Sequence, residues 1–323
     1  MNPSDYIGHD AAWQAWTQAE AGARMHHGWI LSGRRGVGKS AFAMAAARNL
    51  LEGDGAGRSL ADHPDIHYLS HPPKTDGDAR KKADGKPYDL ARNIKVSQIR
   101  ELQQKLTTRP TMGARRAVII DPADDMEPST ANALLKSLEE PPEGTYFLLV
   151  THRLGRLLPT IRSRCRVLSF PSLSEDEMAA VLRRETPDAS PEKRATAIAA
   201  ANGSPGAAID FVELDLGEAH SIMRRLVEEG DPDVRLRASL ASALGARPSR
   251  EKQLATLELA RSVVAGRRMT AQKAELPQLV DTYQALVRLG AQAPTYNFDT
   301  GLLLLEIGTL LATSGSSRTA GHA

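Results

Sequence analysis

The sequence predicts an α/β domain followed by an all-helical region. Between residues 28 and 170, nearly continuous apolar runs such as "AVII" and "FLLV" alternate with segments of helical periodicity. Strands that are apolar on both faces and separated by helices are typical of a parallel sheet covered on both sides. After Pro171 the strand pattern stops and only helical periodicity continues.

The α/β part resolves into a short series of elements. In chain order we expect an amphipathic helix at 10–25, the strand "WIL", a glycine-rich turn and the helix "KSAFAMAAARNLL". A polar insertion at 52–92 follows, with one short strand in "DIHYL". After it we expect a helix from Val96, the strand "RRAVIID", the helix "TANALLKSLEE", and the strands "YFLLVT" and "RVLSF". The helix from Val96 is expected to turn Ile99, Leu102 and Leu106 toward the core.

The helical part is expected to form two domains. Ser174 and Glu177 have the spacing of a capping box, and "SPEKRATAIAAANG" runs from a Ser-Pro start to an Asn-Gly stop. Longer helical patterns follow, ending with "GLLLLEIGTLLA". The expected divisions are an α/β domain at 1–170, a small helical domain at 171–213, a larger one at 214–312 and a disordered tail at 313–323.

Composition excludes several classes of protein. The 323 residues carry 41 Lys plus Arg against 39 Asp plus Glu, a net charge of +2 without a long basic run, so no dominant DNA-binding surface is indicated. The single cysteine, Cys165, excludes an internal disulfide and fits a reducing compartment. The start of the chain has no apolar signal core, and "GLLLLEIGTLL" is too short to span a bilayer. We therefore expect a cytoplasmic protein without a membrane segment.

A phosphate-binding loop is the most specific motif. "GRRGVGKS" places Gly33, Gly38, Lys39 and Ser40 at the G-x-x-x-x-G-K-[ST] spacing between a predicted strand and a helix, and Gly36 lies within it. The glycines let backbone N–H groups face phosphate oxygens at the start of the helix. Lys39 would then reach the outer phosphates, and the Ser40 hydroxyl would bind Mg²⁺.

A second nucleotide-binding position is expected at the end of "RRAVIID". Asp121 ends an apolar strand, where a carboxylate can hold Mg²⁺, although an Asp before proline can also simply form a turn. Many hydrolysing P-loop proteins carry a glutamate directly afterwards to polarise the attacking water, but this chain has Pro122. Asp124 and Asp125 are near in sequence and are expected to lead into the next helix instead.

A longer stretch carries a family resemblance. "IIDPADDMEPSTANALLKSLEEPPEGTYFLLVTHRLGRLLPTIRSRC" resembles the clamp-loader branch of the AAA+ proteins, which have a Ser-Arg-Cys motif, here Ser163, Arg164 and Cys165. With "GHDAAWQAWTQAEAGARMHHGWILSG" and "NGSPGAAI", the resemblance covers roughly residues 7–210. It implies a RecA-like AAA+ domain, a helical lid and a helical collar through which five subunits form an open ring.

The resemblance also implies partners and a catalytic residue. The partners would be the gamma or tau and delta subunits of a clamp loader, the sliding clamp, and primed DNA within the assembled complex. Arg164 would act as a finger on ATP held by a neighbouring gamma or tau subunit, although a solvated arginine at a strand start is the simpler alternative. Cys165 is expected to be a small apolar residue and not a nucleophile.

Several departures from the family point to weak catalysis. ATP-hydrolysing relatives have a lid arginine in a Gly-Ser-x-Arg pattern, where this chain has Gly206. Thr151 fits the position of a polar sensor residue, but equally that of an ordinary strand-end threonine. The insertion lacks the cysteines with which relatives bind zinc, and prolines interrupt His63, His67 and His71, so no zinc is expected. ATP or ADP with Mg²⁺ remains the expected cofactor.

The leading hypothesis is a clamp-loader subunit with little or no ATPase activity of its own, which helps to load a sliding clamp during DNA replication. The alternatives are a catalytically active AAA+ ATPase, such as a gamma or tau subunit or a branch-migration motor, and a nucleotide-regulated adaptor unrelated to replication.

Overall fold

The computed structural model describes residues 6–22, 25–51, 63–86, 88–245, 247–292 and 300–315. The chain divides into two units, Met1–Ser172 and Leu173–Ala323. The first unit is α/β and the second is helical throughout its described part, so the predicted fold class is confirmed. Within the described ranges, no helix is both long and apolar enough to cross a bilayer.

Five strands form the parallel sheet of the first unit. They are β1 (Gly28–Gly33), β2 (Ile66–Leu69), β3 (Arg116–Ile120), β4 (Thr145–Thr151) and β5 (Arg166–Phe170). They lie side by side in the order β2-β3-β4-β1-β5, and each pair of neighbours is parallel. Because all five run in one direction, their carboxyl ends lie at one edge of the sheet and their amino ends at the other.

Helices cover both faces of this sheet. The helices of the first unit are α1 (Asp10–Ala21), α2 (Lys39–Leu51), α3 (Asp76–Ala83), α4 (Val96–Leu106), α5 (Pro128–Glu139) and α6 (Pro159–Arg162). Of these, α3 contributes no residue to either core beside the sheet. Successive strand residues feed opposite cores: Trp29 and Leu31 pack in one with Phe42 of α2, whereas Ile30 packs in the other with Leu134 of α5. This period of two explains why the strands are apolar throughout. The predicted inward positions of α4 (Ile99, Leu102 and Leu106) are buried in the second core.

The structure differs from the sequence prediction at three places. Helix α1 ends at Ala21, earlier than the predicted residue 25, because Gly22 follows in an extended conformation. The insertion contains the unpredicted helix α3, which is strongly polar and begins where the Thr75 hydroxyl accepts a hydrogen bond from the Asp78 backbone N–H. The last helix continues to Gly315, into the predicted tail. The parts of the insertion and tail at 52–62 and 316–323 lie outside the described residues.

The second unit contains eight described helices. They are α7 (Glu175–Glu185), α8 (Pro191–Ala201), α9 (Pro205–Glu213), α10 (Gly217–Glu229), α11 (Arg235–Leu244), α12 (Arg250–Arg267), α13 (Leu276–Gln292) and α14 (Thr300–Gly315). The predicted capping box is present, because the Ser174 hydroxyl accepts from the Glu177 N–H and the Glu177 carboxylate accepts from the Ser174 N–H. The predicted stop of α8 is also present, with Asn202 in the left-handed region. A division of this unit near residue 213 stays a prediction.

Strand β5 passes very close to β1 where the phosphate loop begins. Gly33 and Phe170 are register partners, and a Cβ at Gly33 would lie 2.3 Å from the Phe170 carbonyl oxygen. A backbone oxygen at this distance cannot move aside without separating the two strands. Glycine at position 33 is therefore required by the packing of the sheet, in addition to the role in phosphate binding that the motif predicts.

We expect Gly33→Ala to lower the free energy of unfolding of the first unit by about 1–3 kcal/mol, because the added methyl group forces β1 and β5 apart. Tryptophan fluorescence during urea unfolding reports this unit selectively, since all three tryptophans (Trp13, Trp16 and Trp29) lie in it. Gly155→Ala is the matched control, because nothing lies within 4 Å of its added Cβ. Equal unfolding midpoints for the two variants would contradict the steric argument.

Candidate nucleotide-binding site

The phosphate loop connects the carboxyl end of β1 to the start of α2. Gly36 and Gly38 have φ angles of 77° and 104°, which side chains disfavour, and these angles let the backbone curl over the helix start. The Lys39 ammonium lies inside the curl and donates to the carbonyl oxygens of Gly33 (2.8 Å) and Arg34 (2.6 Å). The lysine therefore occupies the space that the loop encloses.

Lys39 is only 3% exposed, and its burial dominates its electrostatics. Desolvation lowers the pKa of the ammonium to about 8, while the charges of Asp121 and Asp124 act in the opposite direction. An ammonium that is poorly solvated and only partly neutralised by these carboxylates favours an added anion. The predicted phosphate-binding role of Lys39 thus has a physical basis in its surroundings.

Ser40 and Asp121 are brought together at this edge of the sheet. The Ser40 hydroxyl donates to Asp121 Oδ2 at 2.5 Å, and the Tyr68 hydroxyl donates to the same oxygen at 2.9 Å. Asp121 is buried and directly follows β3, while Ser40 is the second residue of α2. A hydroxyl and a carboxylate that converge beside a phosphate loop form an arrangement suited to Mg²⁺. Tyr68 was not anticipated, because no local sequence pattern links it to Asp121.

The two acidic residues after Pro122 have different environments. Asp124 is buried and near enough to Lys39 to raise its pKa, although the sequence suggested that it would lead away from the phosphates. One carboxylate oxygen of Asp124 accepts from the His152 backbone N–H at 3.0 Å. Asp125 instead pairs with His71 at 3.3 Å and Arg156 at 3.8 Å. Burial by itself raises the pKa of Asp125, but the combined effect of these partners in lowering it is larger, so the net shift is downward.

At the end of β4, the residue beside the predicted sensor is the more informative one. Thr151 is fully buried, and its hydroxyl accepts from the Arg153 backbone N–H at 3.2 Å. The next residue, His152, experiences the charges of Lys39, Asp124 and Asp121, and burial is the largest cause that lowers its pKa. Among the described residues its buried Nδ1 has no hydrogen-bond partner. The sequence shows His152 only as a polar residue directly after a strand. Hydrophobic periodicity could not indicate that His152, and not Thr151, lies near the charges of the site.

Residues before α1 also hold the phosphate loop. The Tyr6 hydroxyl donates to the Gly38 carbonyl oxygen at 2.7 Å, and His9 Nε2 lies 2.8 Å from the Val37 carbonyl oxygen. These contacts join segments about thirty positions apart, so the sequence motif alone could not indicate them.

In the second unit, Gly206 lies in the first turn of α9 and has no side chain with which to replace a lid arginine.

Arg164 lies at the opposite edge of the sheet from the phosphate loop. Its carbonyl oxygen would be 3.1 Å from a Cβ built on Gly28, the first residue of β1. Gly33 ends the same strand, five residues farther on. At about 3.3 Å per residue the separation along the strand is roughly 16 Å, which exceeds the reach of an arginine side chain. Arg164 therefore cannot contact the phosphate loop of its own chain.

The Arg164 guanidinium is 35% exposed and has three acceptors in its own chain. NH2 forms an ion pair with Glu139 Oε1 at 2.6 Å, and NH1 donates to Thr160 O at 3.0 Å and to Ser163 Oγ at 3.3 Å.

Cys165 packs against the second core, and burial raises the pKa of its thiol to about 12. A thiol with so high a pKa supports the expectation that Cys165 is not a nucleophile.

Comparison with known proteins identifies the family. Residues 8–174, about half of the chain, match the family described as DNA polymerase III, delta subunit. The chain belongs to this family. The resemblance to the clamp-loader family that the Ser-Arg-Cys segment suggested is thereby confirmed.

The relatives that the chain resembles include delta-prime and tau subunits of DNA polymerase III. The delta-prime subunit of DNA polymerase III from Pseudomonas aeruginosa is 32% identical over 207 residues, which cover 60% of this chain and 58% of that protein. The delta-prime subunit of Escherichia coli is 29% identical over 212 residues, with coverages of 62% and 58%. The tau subunit of E. coli is 29% identical over 180 residues, with coverages of 54% and 26%. The match thus spans less than two thirds of each of these relatives.

A solved structure supports the fold. The crystal structure of a DNA polymerase III gamma subunit-related protein from Thermotoga maritima aligns with a TM-score of 0.51 and 16% identity, covering 93% of this chain and 98% of that one. At this identity the likeness concerns the fold alone.

We expect the Cys165 thiol to react with a disulfide reagent at pH 8 on the order of 10²–10³ times more slowly in the folded chain than in denaturing urea, because only the thiolate attacks. Since Cys165 is the sole cysteine, the rate of thiol release reports it directly. Reaction in the folded state at a rate close to that of the unfolded chain would show an accessible thiolate and contradict the burial argument.

Proposed function

We propose that the chain acts as a delta-prime-type subunit of the bacterial DNA polymerase III clamp loader, which places the sliding clamp on primed DNA during replication. In this proposal it assembles with gamma or tau and delta subunits in the cytoplasm and supplies Arg164 to ATP bound by a neighbour. The family membership supports the general role. The finer assignment rests on the geometry of Arg164.

The separation of Arg164 from its own phosphate loop is the observation that carries the proposal. A cation at the amino edge of the sheet cannot assist a reaction at the carboxyl edge of the same sheet. It is nevertheless partly exposed, and within the described residues its Nε and one NH2 hydrogen have no acceptor. These donors are available to a phosphate on another subunit, where a positive charge stabilises the charge that develops during phosphoryl transfer.

The chain's own pocket has the groups needed to hold ATP or ADP with Mg²⁺. Backbone N–H groups of the loop and the start of α2 would face the phosphates, and Lys39 would exchange its two carbonyl acceptors for phosphate oxygens. Ser40 and Asp121 would hold the Mg²⁺ ion, whose charge offsets that of the phosphates. The hydrogen bond between them already holds a hydroxyl and a carboxylate at one point.

Three features argue against efficient hydrolysis in this pocket. Pro122 cannot act as a base toward water, and Gly206 cannot supply a cation from the lid. Asp124 is the remaining nearby carboxylate, but one of its oxygens already accepts a hydrogen bond from the His152 backbone N–H. The pocket therefore suits a bound nucleotide that stabilises the subunit more than one that turns over. No zinc is part of this proposal.

One observation favours the alternative of an active ATPase. Asp124 is buried and close enough to Lys39 to raise the pKa of the lysine, so a water held between Asp124 and a γ-phosphate would be polarised by the carboxylate. That activity requires a carboxylate oxygen of Asp124 to accept from the water in addition to the backbone donor of His152. Activity of the isolated chain separates this alternative from the main proposal.

We expect Arg164→Ala to lower the clamp- and DNA-stimulated ATPase rate of a clamp loader reconstituted with the partner subunits of the same organism. A finger contributes roughly 10³–10⁵ in rate at the site it serves, and the loss for the whole complex is smaller if other sites continue to turn over. Steady-state phosphate release measures the effect. Size-exclusion chromatography confirms that the variant still assembles.

Arg162→Ala is the matched control, because Arg162 is an exposed arginine at the end of α6, two positions before Arg164. We expect this control to keep the wild-type rate. A complex that contains Arg164→Ala, assembles normally and hydrolyses ATP as fast as the Arg162→Ala complex would refute the finger assignment.

A further inference from the structure

The Arg164 guanidinium is anchored by a residue that the Ser-Arg-Cys motif does not include. Glu139 is the last residue of α5, and its carboxylate lies 2.6 Å from NH2 of Arg164. The α5 end is fixed at this edge of the sheet, because His27, just before β1, lies with Nε2 2.8 Å from the Leu138 carbonyl oxygen. The anchoring carboxylate therefore projects from a well-supported position.

The three acceptors restrict the direction in which Arg164 points. Thr160 O and Ser163 Oγ engage NH1, and Glu139 engages NH2, so both terminal nitrogens have acceptors within the chain. Nε and the second NH2 hydrogen remain for an external anion. A long arginine side chain loses considerable rotamer entropy when it is fixed, and a contact that restricts it beforehand lowers that cost during catalysis.

The contact with Glu139 is suited to bias the side chain without locking it. The two side chains are 35% and 48% exposed, and ion pairs at such exposure are weak. The pair can therefore yield when a phosphate approaches, while the backbone carbonyl of Thr160 holds the other nitrogen. We infer that Glu139 is a positioning residue for Arg164, which increases the fraction of subunits whose guanidinium points outward in a reactive orientation. This inference rests on the proposed function of Arg164.

The adjacent Glu140 provides a matched control. It is also an exposed glutamate, it follows Glu139 directly, and its carboxylate makes no contact with Arg164. Replacing either glutamate removes one negative charge from the same corner of the subunit. A difference between the two replacements therefore reports the ion pair and not the local charge.

The test uses the reconstituted clamp loader with Glu139→Gln, Glu139→Ala, Glu140→Gln, Arg164→Ala and the double variant Glu139→Gln/Arg164→Ala. We expect both Glu139 variants to lower kcat for ATP by roughly 3- to 10-fold with KM nearly unchanged, since the loss concerns orientation in the transition state. Glu140→Gln should match the wild type. In the Arg164→Ala background, Glu139→Gln should cause no further loss, because the group that it positions is absent.

Three results would overturn the inference. They are an unchanged kcat in both Glu139 variants, a raised kcat, which would mean that the pair restrains the finger, or an equal loss with and without Arg164. If Arg164→Ala itself has no effect, the proposed function fails as well. If Arg164→Ala lowers the rate and the Glu139 variants do not, the positioning role alone fails.

Discussion

The parallel register of β1 and β5 is the constraint on which the rest of the structure depends. It sets Gly33 against Phe170 at one edge of the sheet and Trp29 against Arg166 near the other. The phosphate loop leaves from the first edge, and the Ser-Arg-Cys segment enters at the second. The phosphate loop and the Arg164 side chain of one molecule therefore cannot contact each other. In the proposed function, a neighbouring subunit brings its own bound nucleotide to Arg164.

The polar groups at the two edges of the sheet differ in how fully they are hydrogen-bonded. At the carboxyl edge, polar groups satisfy one another: Lys39 with loop carbonyls, Ser40 and Tyr68 with Asp121, and Asp124 with a backbone donor. At the amino edge, Arg164 keeps unused donors and partial exposure. In the proposed function, nucleotide bound to the chain's own pocket stabilises the folded chain by mass action. In the proposed function, the partly exposed Arg164 contributes through association with a neighbouring subunit.

Much of this architecture can be predicted from the sequence, because buried residues recur at the regular spacing of a strand or a helix. The apolar strands, the inward face Ile99, Leu102 and Leu106, and the cap at Ser174 all reflect local rules of spacing. Helix α3 escaped prediction because it has almost no apolar face, and its Thr75 cap lies within a segment rich in turn residues. A sequence pattern that records burial carries little information about a helix of this kind.

The site was only partly predictable for a related reason. The phosphate loop and Asp121 belong to contiguous motifs, and the structure brings Ser40 and Asp121 together as those motifs imply. Tyr68, Tyr6, His152 and Glu139 act through partners far away in sequence, so only the three-dimensional arrangement reveals them. Asp124 illustrates the same limit, since its position beside Lys39 depends on how the turn after β3 folds and not on residue spacing.

The most direct test of the central claim is ATP turnover by the purified full chain without partners, compared with its Lys39→Ala variant. We expect the two proteins to release phosphate at the same rate, far below about 1 s⁻¹, the lower end of ordinary enzymatic turnover. Turnover at or above that rate, abolished in Lys39→Ala, would show that the pocket is catalytically complete by itself and would contradict the account.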